Sequence, residues 1–173
     1  MRFWPAFALV WLLPASALAV GEGEASLSLG AGLAVTFQDG GRAGVEGEFR
    51  LLRGLTDAWS GRLGLQAALL PSSDGRPRGS LVSQSAGLTW AVDIANLVPF
   101  VDFGVLVADV RGMGYAASQR LGIQAGVGLD YLASRHALVS LLARVDYLPL
   151  RLAGHESPRP TQLCLVLHLG RTF

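Results

Sequence analysis

The sequence predicts an all-β fold: an eight-stranded antiparallel up-and-down transmembrane β-barrel, preceded by a cleaved signal peptide. Three observations lead there. The first segment has the form of a secretory leader. Period-2 alternation of apolar and polar residues then recurs to the last residue. The chain is also 51 % hydrophobic with mean hydropathy +0.41. Yet beyond the leader it contains no apolar run of about 18 residues that could span a bilayer as a helix. Apolar content without a helical span points to strands that face lipid.

The leader is MRFWPAFALVWLLPASALA, residues 1–19. It carries one charge at Arg2, an apolar stretch from Phe3 to Leu13, and a small-x-small end at Ala17-Leu18-Ala19, the expected cleavage site. Pro5, Pro14 and the short apolar run argue against an anchor helix. Residues 20–173 are expected to form a single barrel domain. Cys164 is the only cysteine, so no internal disulfide can staple the fold.

Eight alternating runs follow in order. The first has Ala25, Leu27, Leu29, Ala31, Leu33, Val35 and Phe37 on one face and Ser26, Ser28, Gly30, Gly32 and Thr36 on the other. QDGG turns the chain. The second sets Val45, Gly47, Phe49 and Leu51 against Glu46, Glu48 and Arg50, and RGLTD separates it from the third. There Trp59, Leu63, Leu65, Ala67 and Leu69 oppose Ser60, Arg62, Gly64 and Gln66. PSSDGRPRG, with its Pro and Gly residues, is a loop. The fourth run places Ala86, Leu88, Trp90 and Val92 against Ser83, Ser85, Gly87 and Thr89.

The fifth run is less regular. Val101, Phe103, Val105 and Val107 make one face and Asp102, Gly104 and Ala108 the other, with Phe100 and Leu106 out of pattern. After a loop near RGMGYAASQ, the sixth alternates Leu121, Ile123, Ala125, Val127, Leu129 and Tyr131 with Gly122, Gln124, Gly126, Gly128 and Asp130. ASRH turns it into the seventh, where Val139, Leu141, Ala143, Val145 and Tyr147 oppose Ser140, Arg144 and Asp146. RLAGHESPRP is the last loop, and CLVLHLGRTF is the eighth strand. Runs of roughly 9–13 residues suit a tilted bilayer crossing. Connections that alternate between compact and longer suit short periplasmic turns and longer outer loops.

The faces decide between a soluble and a membrane barrel. A soluble barrel is apolar inside; here the consistently apolar face suits lipid, and the polar face suits a narrow lumen. The expected lumen network comprises Glu46, Glu48, Arg50, Arg62, Asp130, Arg144, Asp146 and His168, joined by Gln66, Asp102 and Gln124. A simple hairpin register through RGLTD sets Glu48 opposite or diagonal to Arg62. Aromatic residues near the strand ends on the apolar face suggest two sparse girdles. Trp59, Trp90, Tyr131 and Phe173 lie toward the periplasm, and Phe37 and Tyr147 toward the outside.

The pattern over the whole mature chain resembles the small eight-stranded bacterial outer-membrane barrels of the OmpA-transmembrane, OmpX and OmpW type. VPFVDFGV (Val98 to Val105) is similar to a Pro-aromatic-Val…Gly strand common in that group. Phe173 with Leu165, Leu167 and Leu169 resembles the C-terminal signature that its barrel-assembly machinery recognises. The resemblance implies residence in the outer membrane, with lipids, lipopolysaccharide and that machinery as partners. Arg171 departs from the signature on an outward site. Close to the interface, an Arg there costs only about 0–1 kcal/mol.

Other chemistry is sparse. All 14 basic residues are Arg, net charge is +1, and there is no basic stripe for nucleic acid. His155 and Ser157 in GHESP form an H-x-S, similar to the His-x-Ser pair that outer-membrane lipid A deacylases use with a Glu, but nothing else matches that family and the pair sits among Pro158 and Pro160, as a polar loop tip does. His136 and His168 are isolated, and no spacing suggests a metal or other cofactor. Cys164 falls on the lumen face as a small packed residue. Three functions fit this sequence: a structural or surface-interaction barrel, a narrow pore or conduit for small apolar solutes, and a lipid A-modifying enzyme.

Overall fold

The computed structural model describes residues 22–37, 41–72, 77–92, 96–112, 117–134, 136–154 and 160–173. The expected leader, residues 1–19, lies outside them, as do His155, Ser157 and most of QDGG. Eight strands are present: β1 (Ala25–Thr36), β2 (Arg42–Gly54), β3 (Trp59–Leu70), β4 (Gly79–Ala91), β5 (Leu97–Arg111), β6 (Ser118–Ser134), β7 (Ala137–Gly154) and β8 (Thr161–Thr172). Each pairs antiparallel with the next, and β1 pairs with β8, so the sheet is a closed barrel. Closure leaves no free sheet edge along the wall, the condition for β-structure in hydrocarbon. The seam is finished by the last residue. The Phe173 N–H donates to the Ala25 carbonyl at 2.9 Å.

The registers set the barrel's tilt. A row of partners leaves Thr161 of β8 through Tyr147, Ile123, Val105, Ala86, Leu63, Leu51 and Leu27, and returns to β8 at Arg171. That is a stagger of 171 − 161 = 10 residues around the barrel. For eight strands it tilts them by about 40° from the axis. Rows therefore climb from β1 toward β7, and side chains far apart in sequence reach the same depth inside.

The alternation matches the burial. Leu29 (65 % exposed), Leu33 (61 %), Ile123 (59 %) and Leu169 (63 %) point outward, and their neighbours Ser28, Ala34, Gln124 and His168 are buried. Two boundaries differ from the sequence reading. Arg151–Gly154, expected in the last loop, continue β7, and Ser118 and Gln119 begin β6 rather than ending a loop. There β7 pairs with β6 beyond Tyr147, the last residue it shares with β8, and the ladder shifts register between Leu121 and Ile123. Leu150, Arg151, Leu152, Ala153 and Gly154 are all exposed, so this end of β7 loses the inside-outside alternation by which a strand is read from sequence.

The β2–β3 turn also differs, with consequences for the lumen. Gly54 pairs with Ser60, so the turn is Leu55–Ala58 rather than RGLTD. The Thr56 hydroxyl accepts the backbone N–H of Trp59 at 3.1 Å, and the Leu55 N–H donates to the Trp59 carbonyl at 2.8 Å. A Ser/Thr side chain closing its own turn competes with the ladder, and here it moves the turn two residues toward the C-terminus. Glu48 then faces Gln66, and Arg62 faces Leu52.

Candidate functional site in the barrel lumen

Because each strand sends every second side chain inward, eight strands converge on a narrow interior. Five arginines (Arg42, Arg50, Arg62, Arg120, Arg144) and five carboxylates (Glu46, Glu48, Asp102, Asp130, Asp146) are buried there, with His168. Equal numbers of opposite charges let the lumen be filled without net charge. The eight polar residues expected on the lumen face are all buried in it.

The charges form two layers. In the middle of the barrel Arg144 of β7 is the hub. Its Nη1 and Nη2 bond Glu48 and Glu46 of β2 across the lumen, and its Nε donates to Asp146 at 3.1 Å. All four side chains are at most 1 % exposed. Toward the chain termini, Asp102 of β5 is the second hub. It accepts from Arg50 at 3.2 Å and from the Thr89 hydroxyl at 2.5 Å, and its Oδ2 lies 3.7 Å from Arg62 Nε. Arg62 also donates to Gln124 at 2.5 Å and to Ser85 at 3.3 Å. His168 lies between the layers, its Nε2 3.6 Å from Glu48 and its Nδ1 3.5 Å from the Ser28 hydroxyl.

The expected Glu48–Arg62 pair is thus replaced. Glu48 belongs to Arg144, and Arg62 to Asp102 and Gln124. The displaced β2–β3 turn is the reason, since it slides Arg62 away from Glu48 along the hairpin.

The loop end of the lumen is apolar. Ala34, Ala68, Leu81, Leu106, Ala108, Val110, Leu148, Cys164 and Val166 form one buried cluster. Above it Arg42 Nη2 donates to the carbonyls of Leu70, Pro71 and Pro77 at 3.3, 2.5 and 3.0 Å, tying the β3–β4 connection over the rim. Arg120 donates to the Leu148 carbonyl at 3.3 Å. Arg42 and Arg120 escaped the sequence reading, although extending the alternation back from Glu46 and Gln124 puts both inside. Phe100 and Leu106, out of pattern in sequence, turn inward and are 3 % and 1 % exposed.

Phe100 supports the lower layer. The Arg50 guanidinium lies 4.6 Å from its ring centroid, a cation–π contact that is worth more when desolvated. The ring lies over Gly128, its register partner. A Cβ at Gly128 would collide with the Phe100 ring and come within 2.6 Å of the Leu141 carbonyl. Gly128→Val should therefore destabilise the folded barrel by about 1–3 kcal/mol through overpacking. At the outward Gly47 a Cβ meets nothing nearer than 4.0 Å, so Gly47→Ala should leave the urea midpoint unchanged. Equal effects at the two sites would show that Phe100 does not need the glycine.

On the outside, the six aromatic residues expected in girdles are exposed: Phe37 60 %, Trp59 38 %, Trp90 41 %, Tyr131 48 %, Tyr147 36 % and Phe173 43 %. Five lie near strand ends, but Tyr147, expected at an outer end, stands seven residues inside β7, at its last pair with β8. Trp59 meets Phe103 edge-on at 5.8 Å between centroids. Arg171 points outward, as the alternation requires, and its guanidinium lies 5.3 Å from the Phe173 ring. Among the described residues no group of His, Cys, Asp and Glu could hold a metal ion.

An apolar exterior around an interior lined with buried charges bridged by two hubs, closed by eight strands, is the fold of the small outer-membrane β-barrels. Solved structures of that class superpose on it. Neisserial surface protein A matches with a TM-score of 0.76 at 12 % identity, over 88 % of this chain and 100 % of that one. Ail, the attachment invasion locus protein of Yersinia pestis, matches with a TM-score of 0.59 at 14 % identity, over 88 % and 99 %. The outer membrane enzyme PagL matches with a TM-score of 0.57 at 16 % identity, over 83 % and 97 %. No family model matches the chain, and no curated protein matches it in sequence. A surface protein and an enzyme share this architecture, so the fold by itself assigns no activity.

Proposed function

We propose that the protein is a small integral barrel of the bacterial outer membrane with a structural or surface-interaction role. In this reading residues 1–19 direct its export, and its lumen does not conduct. The observation that carries it is the combination of an apolar outer wall with a lumen occupied by paired charges and a hydrophobic plug. Eight strands enclose an interior just wide enough for side chains, and the Arg144 and Asp102 hubs bridge it from wall to wall. The outward residues, bordered by aromatic girdles, take outer-membrane lipid and lipopolysaccharide as partners. Phe173 with Leu165, Leu167 and Leu169 is the segment offered to the barrel-assembly machinery. Contacts with other surfaces fall to the barrel end where β1, β3, β5 and β7 finish and β2, β4, β6 and β8 begin. The presence of a surface protein and an attachment protein among its structural neighbours favours this role.

Fractionation with a heat-modifiability gel tests the location. The protein should enter the outer-membrane fraction and migrate faster unheated than boiled. Planar bilayers test the lumen. Purified protein should give no stable conductance. Reproducible channels whose ion preference changes in Arg144→Glu would favour the pore instead. A lipid A product that depends on His155 or Ser157 would favour the enzyme.

A further inference from the structure

We propose that two copies of this barrel associate side by side in the membrane through the outward face of β3–β5, with Gln84 of one copy hydrogen-bonded to Gln84 of the second. The inference rests on the membrane reading above and adds a partner to it.

Gln84 is the anomaly on the outer wall. It lies on β4 and is exposed, so its carboxamide points where the fold puts lipid. Every outward position next to it is apolar: Val82 and Ala86 along β4, and Leu65 and Val107 as its register partners on β3 and β5. Among the described residues it is, apart from the phenol of Tyr147, the only polar side chain on the outward face away from the strand ends.

Its depth makes this costly. Trp90, at the terminal end of the same strand, is six residues away. At about 3.3 Å per residue and a tilt of about 40°, Gln84 stands roughly 15 Å above that girdle, within a belt about 25 Å tall. The nearest polar outward group toward the loops is Asp109 of β5, paired in register with Val82. It stands roughly 8 Å higher. A side chain with two methylene groups cannot carry its amide across either gap to water. Among the described residues no hydrogen bond takes the amide, and the β4 backbone groups beside it are used in the ladders to β3 and β5. A carboxamide left so in hydrocarbon lacks partners for two donors and an acceptor.

A second copy supplies them. Two barrels inserted the same way can be related by a twofold axis along the membrane normal. That axis keeps every residue at its own depth, so Gln84 meets Gln84. A carboxamide carries both donor and acceptor, so the pair is self-complementary and can form two reciprocal hydrogen bonds. The tilt suits such a contact. Facing β4 strands, each inclined by about 40°, cross at about 80°. Such an interface is centred on one residue rather than spread along a ladder. The flanking Ala86 is small enough to let the two walls approach, as small residues do at other intramembrane contacts.

The test uses the full mature protein reconstituted in phosphatidylcholine vesicles over a range of lipid-to-protein ratios. Association is read by energy transfer between labelled copies, and folding by heat-modifiability. Wild type should dimerise, and Gln84→Leu should weaken association about tenfold, the scale of one to two intramembrane hydrogen bonds. The unfolding midpoint of Gln84→Leu should not fall, because the change removes an unsatisfied amide. In Gln84→Cys a thiol crosslinker should trap a dimer. Leu33→Cys at similar depth on β1, and wild type with its buried Cys164, should not. A heat-modifiable wild type that stays monomeric, a Gln84→Leu variant that dimerises as wild type does, or equal crosslinking at Leu33→Cys overturns the inference alone. A protein that never becomes heat-modifiable in lipid overturns the membrane reading and this one with it.

Discussion

Arg144→Met is expected to lower the stability of the folded barrel by about 3–5 kcal/mol, the cost of breaking a buried ion pair by removing one partner. The expectation sits at the upper end because three carboxylates depend on this one guanidinium. Glu46, Glu48 and Asp146 all bond it, and all are at most 1 % exposed. Met keeps the aliphatic length, so the loss reports charge and hydrogen bonding rather than volume. Measured as the urea midpoint in detergent micelles or vesicles, Arg144→Met should unfold well before wild type. Combining it with Glu48→Gln should restore part of the loss, because the second change removes a charge the first left alone. Non-additivity in that double-mutant cycle is the decisive reading. Simple additivity would show that Glu48 has another partner, with His168, 3.6 Å away, the nearest alternative.

Deleting Phe173 is expected to cut the amount of assembled barrel severely while barely changing the stability of the barrel that does form. The two effects separate because the residue's contacts in the folded state are few. Its ring is 43 % exposed on the outer wall, and its ring contact is with Arg171. Its backbone donates one hydrogen bond to Ala25 and accepts another at the β1–β8 seam. Neutral hydrogen bonds of this kind contribute about 0.5–1.5 kcal/mol each, and a frayed strand end recovers part of that in water. In the cell the same residue ends the strand that closes the barrel and completes the apolar series Leu165, Leu167, Leu169. The deletion strain should show low outer-membrane levels and unfolded protein in the periplasm. Purified and refolded deletion protein should keep a urea midpoint close to wild type. Normal levels of assembled barrel in that strain would remove the assembly role from Phe173.

Much of this architecture was legible in the residues alone. Strand number, the face of nearly every residue, and the closed antiparallel order follow from period-2 alternation, because a strand has only two sides and a one-residue slip exchanges them. Arg171 outside and His168 inside, three positions apart on β8, are placed correctly by parity. So are Cys164 and Asp102. The reading weakened where alternation stopped being informative. The end of β7 from Leu150 to Gly154 is exposed on both sides, and from Arg151 it read as loop. Phe100 and Leu106 are apolar on the lumen face, where they pack under Arg50 and into the plug, so their polarity misled while their parity did not.

What parity cannot supply is register, and register chooses partners. Thr56 closing the β2–β3 turn moves the pairing by enough to separate Glu48 from Arg62. The ten-residue stagger of the whole sheet then brings Arg144 of β7 to the depth of Glu46 and Glu48 on β2, on the far side of the barrel. No local pattern connects those residues, which are nearly a hundred positions apart. The sequence alone determined which side chains enter the lumen and which face outward, because that depends only on each residue's own strand. The tertiary structure alone decided which charges meet, since that depends on turn geometry and shear summed around eight strands.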